Sequence, residues 1–216
     1  MEKEQNKGLI TDFDNTLVKT RNFILRHLLH TCARLNIKAP SEENIVGILK
    51  RNPPFEEIFT SLFREEGQSV LAAYREDAME TPYEAIDGAL ELVDTLQQRD
   101  TTIVIVSNRT NKLAERLEQA KFNPNHFSAI IQPAEPKPSQ NAYKEALEFL
   151  AEKGVARSNV YVLGDSIDDY QACPEDIRAN FYAVLAGPNT KEDLVAAGIK
   201  EGQLLNSPKE LLAHIK

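Results

Sequence analysis

Apolar positions recur along the chain with two kinds of spacing, and the change between them divides it. The short run Gly8-Leu9-Ile10-Thr11 is apolar without alternation, as in a buried strand that ends in a loop. From about 18 to 83 the spacing is helical throughout. Phe23, Ile24, Leu28, Cys32 and Leu35 recur at three- and four-residue steps and give one apolar helix face. Ser41 followed by Glu42 and Glu43 marks a helix start that leads to Ile45, Ile48 and Leu49. Asn52-Pro53-Pro54 breaks the chain, and Phe55, Ile58, Phe59, Leu62 and Phe63 form the next amphipathic set. A further helix is expected over 69–79, and Thr81-Pro82 closes the block.

After this block helices and strands alternate. Helices are expected at 88–99, 111–121, 140–153, about 190–197 and 208–215. Strands are expected at 102–106, 129–131, 159–163 and 181–186. The run Ile103-Val104-Ile105-Val106 is continuous and β-branched, which marks a strand covered on both faces. Alternating units of this kind predict an α/β protein with a doubly wound, Rossmann-like parallel sheet, and a ligand site at the carboxyl ends of the strands. The expected organisation is a core of residues 1–17 and 84–216, with the helical block 18–83 inserted after the first strand as a cap.

Composition narrows the functional classes. With 42% hydrophobic and 27% charged residues the chain reads as globular rather than disordered. Its longest strand-like apolar run is too short to cross a bilayer, and the charged start Met1-Glu2-Lys3-Glu4 has no apolar stretch behind it, so no membrane partner or signal peptide is expected. Cys32 and Cys173 lie far apart with no C-x-x-C partner, which fits a reducing cytoplasm and neither a disulfide framework nor a zinc site. A net charge of −8 argues against nucleic acid as a partner. The charge is uneven: 18–40 carries Lys19, Arg21, Arg26, Arg34 and Lys38 without an acid, while 41–83 is mainly acidic. A basic segment next to the first strand could attract an anionic substrate or could be a solvated helix face.

Polar clusters follow the expected strands. Asp12 and Asp14 follow the first, Ser107 and Asn108 follow 102–106, and Gly164-Asp165-Ser166-Ile167-Asp168-Asp169 follows 159–163. The switch-point rule brings these loops to one crevice. Lys137 lies between Pro136 and Pro138, which restrict the backbone that presents it. Crowded carboxylates repel one another unless a cation neutralises them, and oxygen-only ligands suit Mg²⁺ better than zinc. A lysine, a hydroxyl and backbone N–H groups can hold the oxygens of a transferring phosphoryl group. One carboxylate can attack phosphorus, and a second two residues on can protonate the leaving oxygen and then deprotonate water.

On these residues the chain resembles the haloacid dehalogenase superfamily of aspartate-nucleophile phosphatases. The four short motifs of that family stand in order as Asp12-x-Asp14-x-Thr16-Leu17, Ser107, Lys137 and Gly164-Asp165-Ser166-x-x-Asp169. The helical block resembles the family's C1 cap, and the 28 residues from 109 to 136 leave no room for the larger cap of some relatives. The resemblance implies Asp12 as nucleophile and metal ligand, and Asp14 as general acid/base whose backbone carbonyl also binds the metal. It implies that Thr16 steadies the loop at the substrate and that Ser107 and Asn108 bind phosphoryl oxygens. Lys137 would screen the phosphate and Asp12, Asp165 would ligate Mg²⁺ directly, and Asp169 would ligate through water or orient the others. Thr11 departs from the family, whose members usually carry a bulky apolar residue there.

Other candidates carry less. His27 and His30 lie three apart on a helix, but with no third ligand they read as surface or interface histidines. Phe55, Phe59 and Phe63 read as packing, and Arg21, Lys50 and Arg51 as surface cations or substrate contacts. The implied activity is Mg²⁺-dependent hydrolysis of a small phosphorylated metabolite. A sugar-phosphate mutase of the β-phosphoglucomutase type would retain every one of these residues. A non-catalytic phosphate-binding regulator would have no need of the crowded carboxylates, and a dehalogenase would lack the acid/base aspartate at position 14.

Overall fold

A computed structural model describes residues 6–51, 53–78, 81–110 and 112–215. The break at Asn52, the helix ends expected at Met79 and Asn111, Glu80, and the charged start through Gln5 lie outside them. The described chain forms two compact units, one of residues 1–19 with 84–216 and the other of Thr20–Tyr83.

In the first unit, six strands of the described residues form one sheet in which every pairing is parallel. They are β1 (Gly8–Thr11), β2 (Thr102–Val106), β3 (Ala129–Ile131), β4 (Val160–Gly164), β5 (Phe181–Val184) and β6 (Leu204–Leu205), in the order β3-β2-β1-β4-β5-β6. β1 is central, with Leu9 opposite Ile103 on one side and Tyr161 on the other, and all four of its residues are buried. That burial is why the run shows no alternation. Helices and turns cover the faces; Ile10, Val104, Val106, Val162 and Phe181 share one core cluster with Tyr143, Ala146 and Leu150. The chain runs outward through β2 and β3, then returns to β4 on the other side of β1. This reversal is the topological switch point, where strand ends leave a crevice.

Several elements differ from the expectation for local reasons. The helix expected at 140–153 starts only at Lys144, after a series of turns from Pro138, where Ser139 caps Asn141. The segment expected as helix at 208–215 is a 3₁₀ stretch, Pro208–Ala213. The fifth strand stops at Val184 rather than 186, and the sequence reading missed β6, whose two residues are too few to show a period. It also missed the short helix Ile167–Ala172, which a Ser166/Asp169 capping box starts right after β4.

The second unit is helical at Thr20–Arg34, Glu42–Leu49, Phe55–Phe63 and Gly67–Asp77. The expected start at Ser41 is present: its side chain accepts a hydrogen bond from the Asn44 N–H at 3.3 Å. Phe55, Phe59 and Tyr74 meet edge-on or tilted, with ring centroids 5.1–5.7 Å apart, and build the unit's core around fully buried Phe59. Val18, expected to begin the helical block, instead bridges to Ala85 in the first unit.

Candidate functional site

The sheet delivers its polar residues to one place by simple continuation. Asp12 is one step past β1, and its N–H still reaches the Leu163 carbonyl of β4 at 2.9 Å. Ser107 is one step past β2, with its N–H on the Ile131 carbonyl at 3.1 Å. Asp165 follows β4 directly, and Lys137 lies in the connection after β3. Asp12, Ser107, Lys137, Asp165, Ser166 and Asp169 are all buried.

Lys137 is the centre of the cluster. Its Nζ donates to Asp12 Oδ1 at 2.5 Å, to Asp169 Oδ1 at 2.6 Å and to the Val106 carbonyl at 3.1 Å. Three acceptors use the three ammonium protons, so its position is fully specified. The backbone of Lys137 is pinned as well. Its N–H donates to Asn108 Oδ1 at 2.9 Å, and the Asn108 side-chain amide donates back to its carbonyl at 3.0 Å. The Asn108 side chain, expected on phosphoryl oxygens, also holds the Lys137 backbone, which takes one of its two amide hydrogens. Thr16 is buried and donates to Asp12 Oδ2 at 3.4 Å, and Thr11 turns its hydroxyl onto the Asp12 carbonyl at 2.8 Å.

Asp169 is equally committed. Its Oδ2 accepts from the N–H groups of Asp165 and Ser166, both at 3.2 Å, and from Ser166 Oγ at 2.5 Å. Its Oδ1 takes Lys137 and also lies 3.4 Å from the Tyr143 hydroxyl. This close fit needs Gly164, since a Cβ there would sit 2.5 Å from the Asp169 side chain. Gly187, which the sequence reading did not single out, does the same for Asp165: a Cβ there would meet Asp165 Oδ2 at 2.4 Å.

The charges do not balance. Burial raises the Asp12 carboxyl to about 7 against the pull of Lys137, and Asp169 and Asp14 push it further in the same direction. Burial, then Asp169 and Asp12, raise Asp165 well above the usual carboxylate range. Burial also acts on Asp169, but Lys137, Ser166 and the Asp165 N–H outweigh it and hold the group below its ordinary value. Lys137 stays protonated, because Asp12 and Asp169 overcome the desolvation of its ammonium. One lysine is thus shared by Asp12 and Asp169, and in this cluster three buried carboxylates, Asp12, Asp165 and Asp169, stand around it.

That surplus of oxygen donors fits a hard divalent cation such as Mg²⁺, which would supply the missing charge. Among the described residues no three acidic, histidine or cysteine side chains converge on one metal position. Lys137 lies between Asp12 and Asp169 and bonds both, which leaves Asp165 as the buried carboxylate of the cluster that the lysine does not bond.

Asp14 has a partner that the sequence did not reveal. Arg109 forks it, with Nη2 on Oδ1 at 2.5 Å and Nε on Oδ2 at 3.0 Å. The two lie 95 positions apart, and nothing in the run Ser107-Asn108-Arg109 distinguishes this arginine from a surface one. Buried His27 bonds Tyr74 and Thr81 within the helical unit and stacks on Phe23 and His30. Lys50 and Arg51 are exposed.

Residues 9–183 match the family of haloacid dehalogenase-like hydrolases. A Clostridium perfringens protein described as "Putative pyrophosphatase PpaX" is 27% identical over 172 residues, which is 77% of this chain and 78% of that protein. The crystal structure of a "putative beta-phosphoglucomutase" from Thermotoga maritima superposes with a TM-score of 0.75 at 19% identity, covering 97% of this chain and 98% of that one. A "predicted phosphoglycolate phosphatase" from Haemophilus somnus gives 0.73 at 16% identity, with 99% and 100% covered. At such identities the two structures speak for the fold alone, whereas the family match spans most of the chain and all four strand-end loops: the protein belongs to the haloacid dehalogenase-like hydrolases.

Proposed function

We propose that this hydrolase is a Mg²⁺-dependent phosphatase that moves the phosphoryl group of a small phosphate monoester first to Asp12 and then to water. The observation that carries the reading is the Lys137 ammonium held between Asp12 and Asp169 in a buried cluster with too little positive charge. Buried like charges cost free energy that a purely structural site would avoid, and a cation with a phosphoryl group would use it. The Clostridium relative, described as a pyrophosphatase, supports a phosphoryl substrate.

In the first half-reaction an Asp12 oxygen bonds to phosphorus while the ester P–O bond breaks, and Asp14 passes a proton to the leaving oxygen. In the second, a water oxygen bonds to the same phosphorus, its proton goes to Asp14, and the bond to Asp12 breaks to release inorganic phosphate. Ser107 Oγ and the backbone N–H groups of the loop hold the phosphoryl oxygens, and Lys137 Nζ joins them by giving up one of its three present acceptors. Thr16 and Lys137 orient the nucleophile, Asn108 holds Lys137, and Asp169 orients Lys137 from the other side. The side chains of Asp12 and Asp165 and the Asp14 carbonyl would hold Mg²⁺, which when bound supplies positive charge against the carboxylates and the phosphoryl oxygens. The helical unit 20–83, inserted between the Asp12 loop and the rest of the sheet, is read as the cap that selects the ester.

The test is release of phosphate from 4-nitrophenyl phosphate with Mg²⁺, stopped by EDTA. Asp12→Asn is expected to lower turnover on the order of a thousandfold or more with unchanged thermal melting, and wild-type enzyme quenched in acid should carry one phosphoryl group on the Asp12 peptide. Full activity in Asp12→Asn would overturn the reading.

A further inference from the structure

The mechanism above uses Asp14 twice, as acid and then as base, yet Asp14 is the least enclosed of the site's aspartates. Its side chain is 27% exposed, against 9% for Asp12 and 2% for Asp169. A carboxylate on a loop, open to water on one side, samples several rotamers unless something holds it. Proton transfer to a leaving oxygen requires the donor within hydrogen-bond reach at a defined angle, so this freedom would cost rate.

Arg109 has the form of that missing constraint. Its guanidinium meets both Asp14 oxygens, through Nε and Nη2, and this fixes the plane of the carboxylate as well as its position. The arginine is itself held by its surroundings. The guanidinium lies over the Phe13 ring, 5.5 Å from its centroid, and Phe13 is fully buried. The Arg109 N–H donates to Ser107 Oγ at 3.2 Å. The side chain is 17% exposed, half-sheltered along its length. The chain of contacts therefore runs from the hydroxyl of Ser107, through Arg109, to the carboxylate of Asp14. A lysine could not reproduce it, because an ammonium has no planar fork.

We propose that Arg109 is the positioning residue for Asp14, fixing that carboxylate for both proton transfers; this rests on the phosphatase reading given above. Arg109 acts through Asp14 and exchanges no proton itself. Its removal therefore harms the enzyme in proportion to how much the leaving oxygen needs a proton.

The experiment measures kcat/KM with Mg²⁺ across 4-nitrophenyl, 4-chlorophenyl and phenyl phosphate, for wild type, Arg109→Gln, Arg109→Lys, Asp14→Asn and the Asp14→Asn/Arg109→Gln double variant. Acid-quenched phosphoenzyme and thermal melting accompany each. Arg109→Gln is expected to lower kcat/KM about threefold or less for 4-nitrophenyl phosphate, whose leaving group needs no proton, and about 10- to 100-fold for phenyl phosphate. Phosphoenzyme should accumulate during 4-nitrophenyl phosphate turnover, because water attack also loses its base. Arg109→Lys should fall between, and the double variant should match Asp14→Asn alone.

A uniform loss across the three esters, a rise in KM with kcat unchanged, or a full Arg109→Gln effect persisting in the Asp14→Asn background would overturn the proposal. If Asp14→Asn steepens the leaving-group dependence and Arg109→Gln does not, only the Arg109 assignment fails. If Asp14→Asn leaves the dependence flat, the role of Asp14 fails and takes that of Arg109 with it. Loss of the Asp12 phosphoenzyme in wild type would be the separate failure of the phosphatase reading.

Discussion

The two units bury polar groups on different terms. In the helical unit, His27 lies in the core with a neighbour for each ring nitrogen, the Tyr74 carbonyl at 3.0 Å and the Thr81 hydroxyl at 3.4 Å. Thr31 returns its hydroxyl to the His27 carbonyl one turn back. These are individual polar groups, each matched to a hydrogen-bonding neighbour, as in any core. In the sheet unit, Asp12, Lys137, Asp165 and Asp169 are buried together from loops up to 157 positions apart, and their charges do not cancel. The contrast separates a polar group that the fold has satisfied from a set that the fold holds in a costly state. Only the second has a physical reason to bind something else.

The sharpest way to break this contrast is to remove the one cation. Lys137→Met leaves buried Asp12 and Asp169 without their partner, so a loss of about 3–5 kcal/mol in denaturant unfolding is expected, with activity abolished. A variant of unchanged stability would mean that the cluster is no more strained than the helical core.

A second test uses the sign of the carboxyl shifts. Asp12 is raised to about 7 from an unfolded value near 3.8, and Asp165 is raised as well. Groups raised in the folded state favour folding while protonated, so this contribution is full below about 4 and is lost as pH rises through 7. For Asp12 alone it is on the order of 4 kcal/mol. Asp169 is lowered and works in the opposite sense, its contribution vanishing only as pH falls below the usual carboxylate range. Metal-free protein should accordingly melt at lower temperature at pH 8 than at pH 5. Millimolar Mg²⁺ should raise the melting temperature at pH 8 and do little at pH 5. A metal-free melting temperature that is flat from pH 5 to 8 would remove the argument for a missing cation.

The smallest effect belongs to the helical unit. His27→Ala should cost about 2–3 kcal/mol, since it removes ring contacts with Phe23 and Tyr74 and leaves the Tyr74 carbonyl short of its partner. Turnover of 4-nitrophenyl phosphate per folded molecule should change less than threefold. A collapse of turnover at full stability would turn this histidine from a core residue into a functional one.

Much of the candidate site's placement was legible in the sequence, because a parallel sheet brings whatever follows its strands to one edge. Asp12 after β1, Ser107 after β2 and Asp165 after β4 needed only the strand positions and the switch-point rule. Lys137 was legible through its flanking prolines, while the paired bonds between its backbone and the Asn108 side chain were not. Arg109 and Gly187 were not legible. A fork across 95 positions and a missing Cβ beside Asp165 leave no periodic trace in the chain.

The division follows from the range of the forces involved. Hydrophobic spacing, capping residues and strand-end loops are local, so the sequence by itself determined the α/β sheet order of chemistry, the helical insertion and the four motif loops. Partner choice and charge balance depend on distances between loops remote in sequence. Only the tertiary structure decided that Lys137 pairs with Asp169 as well as Asp12, that Asp14 is gripped by Arg109, and that the buried carboxylates outnumber their cation.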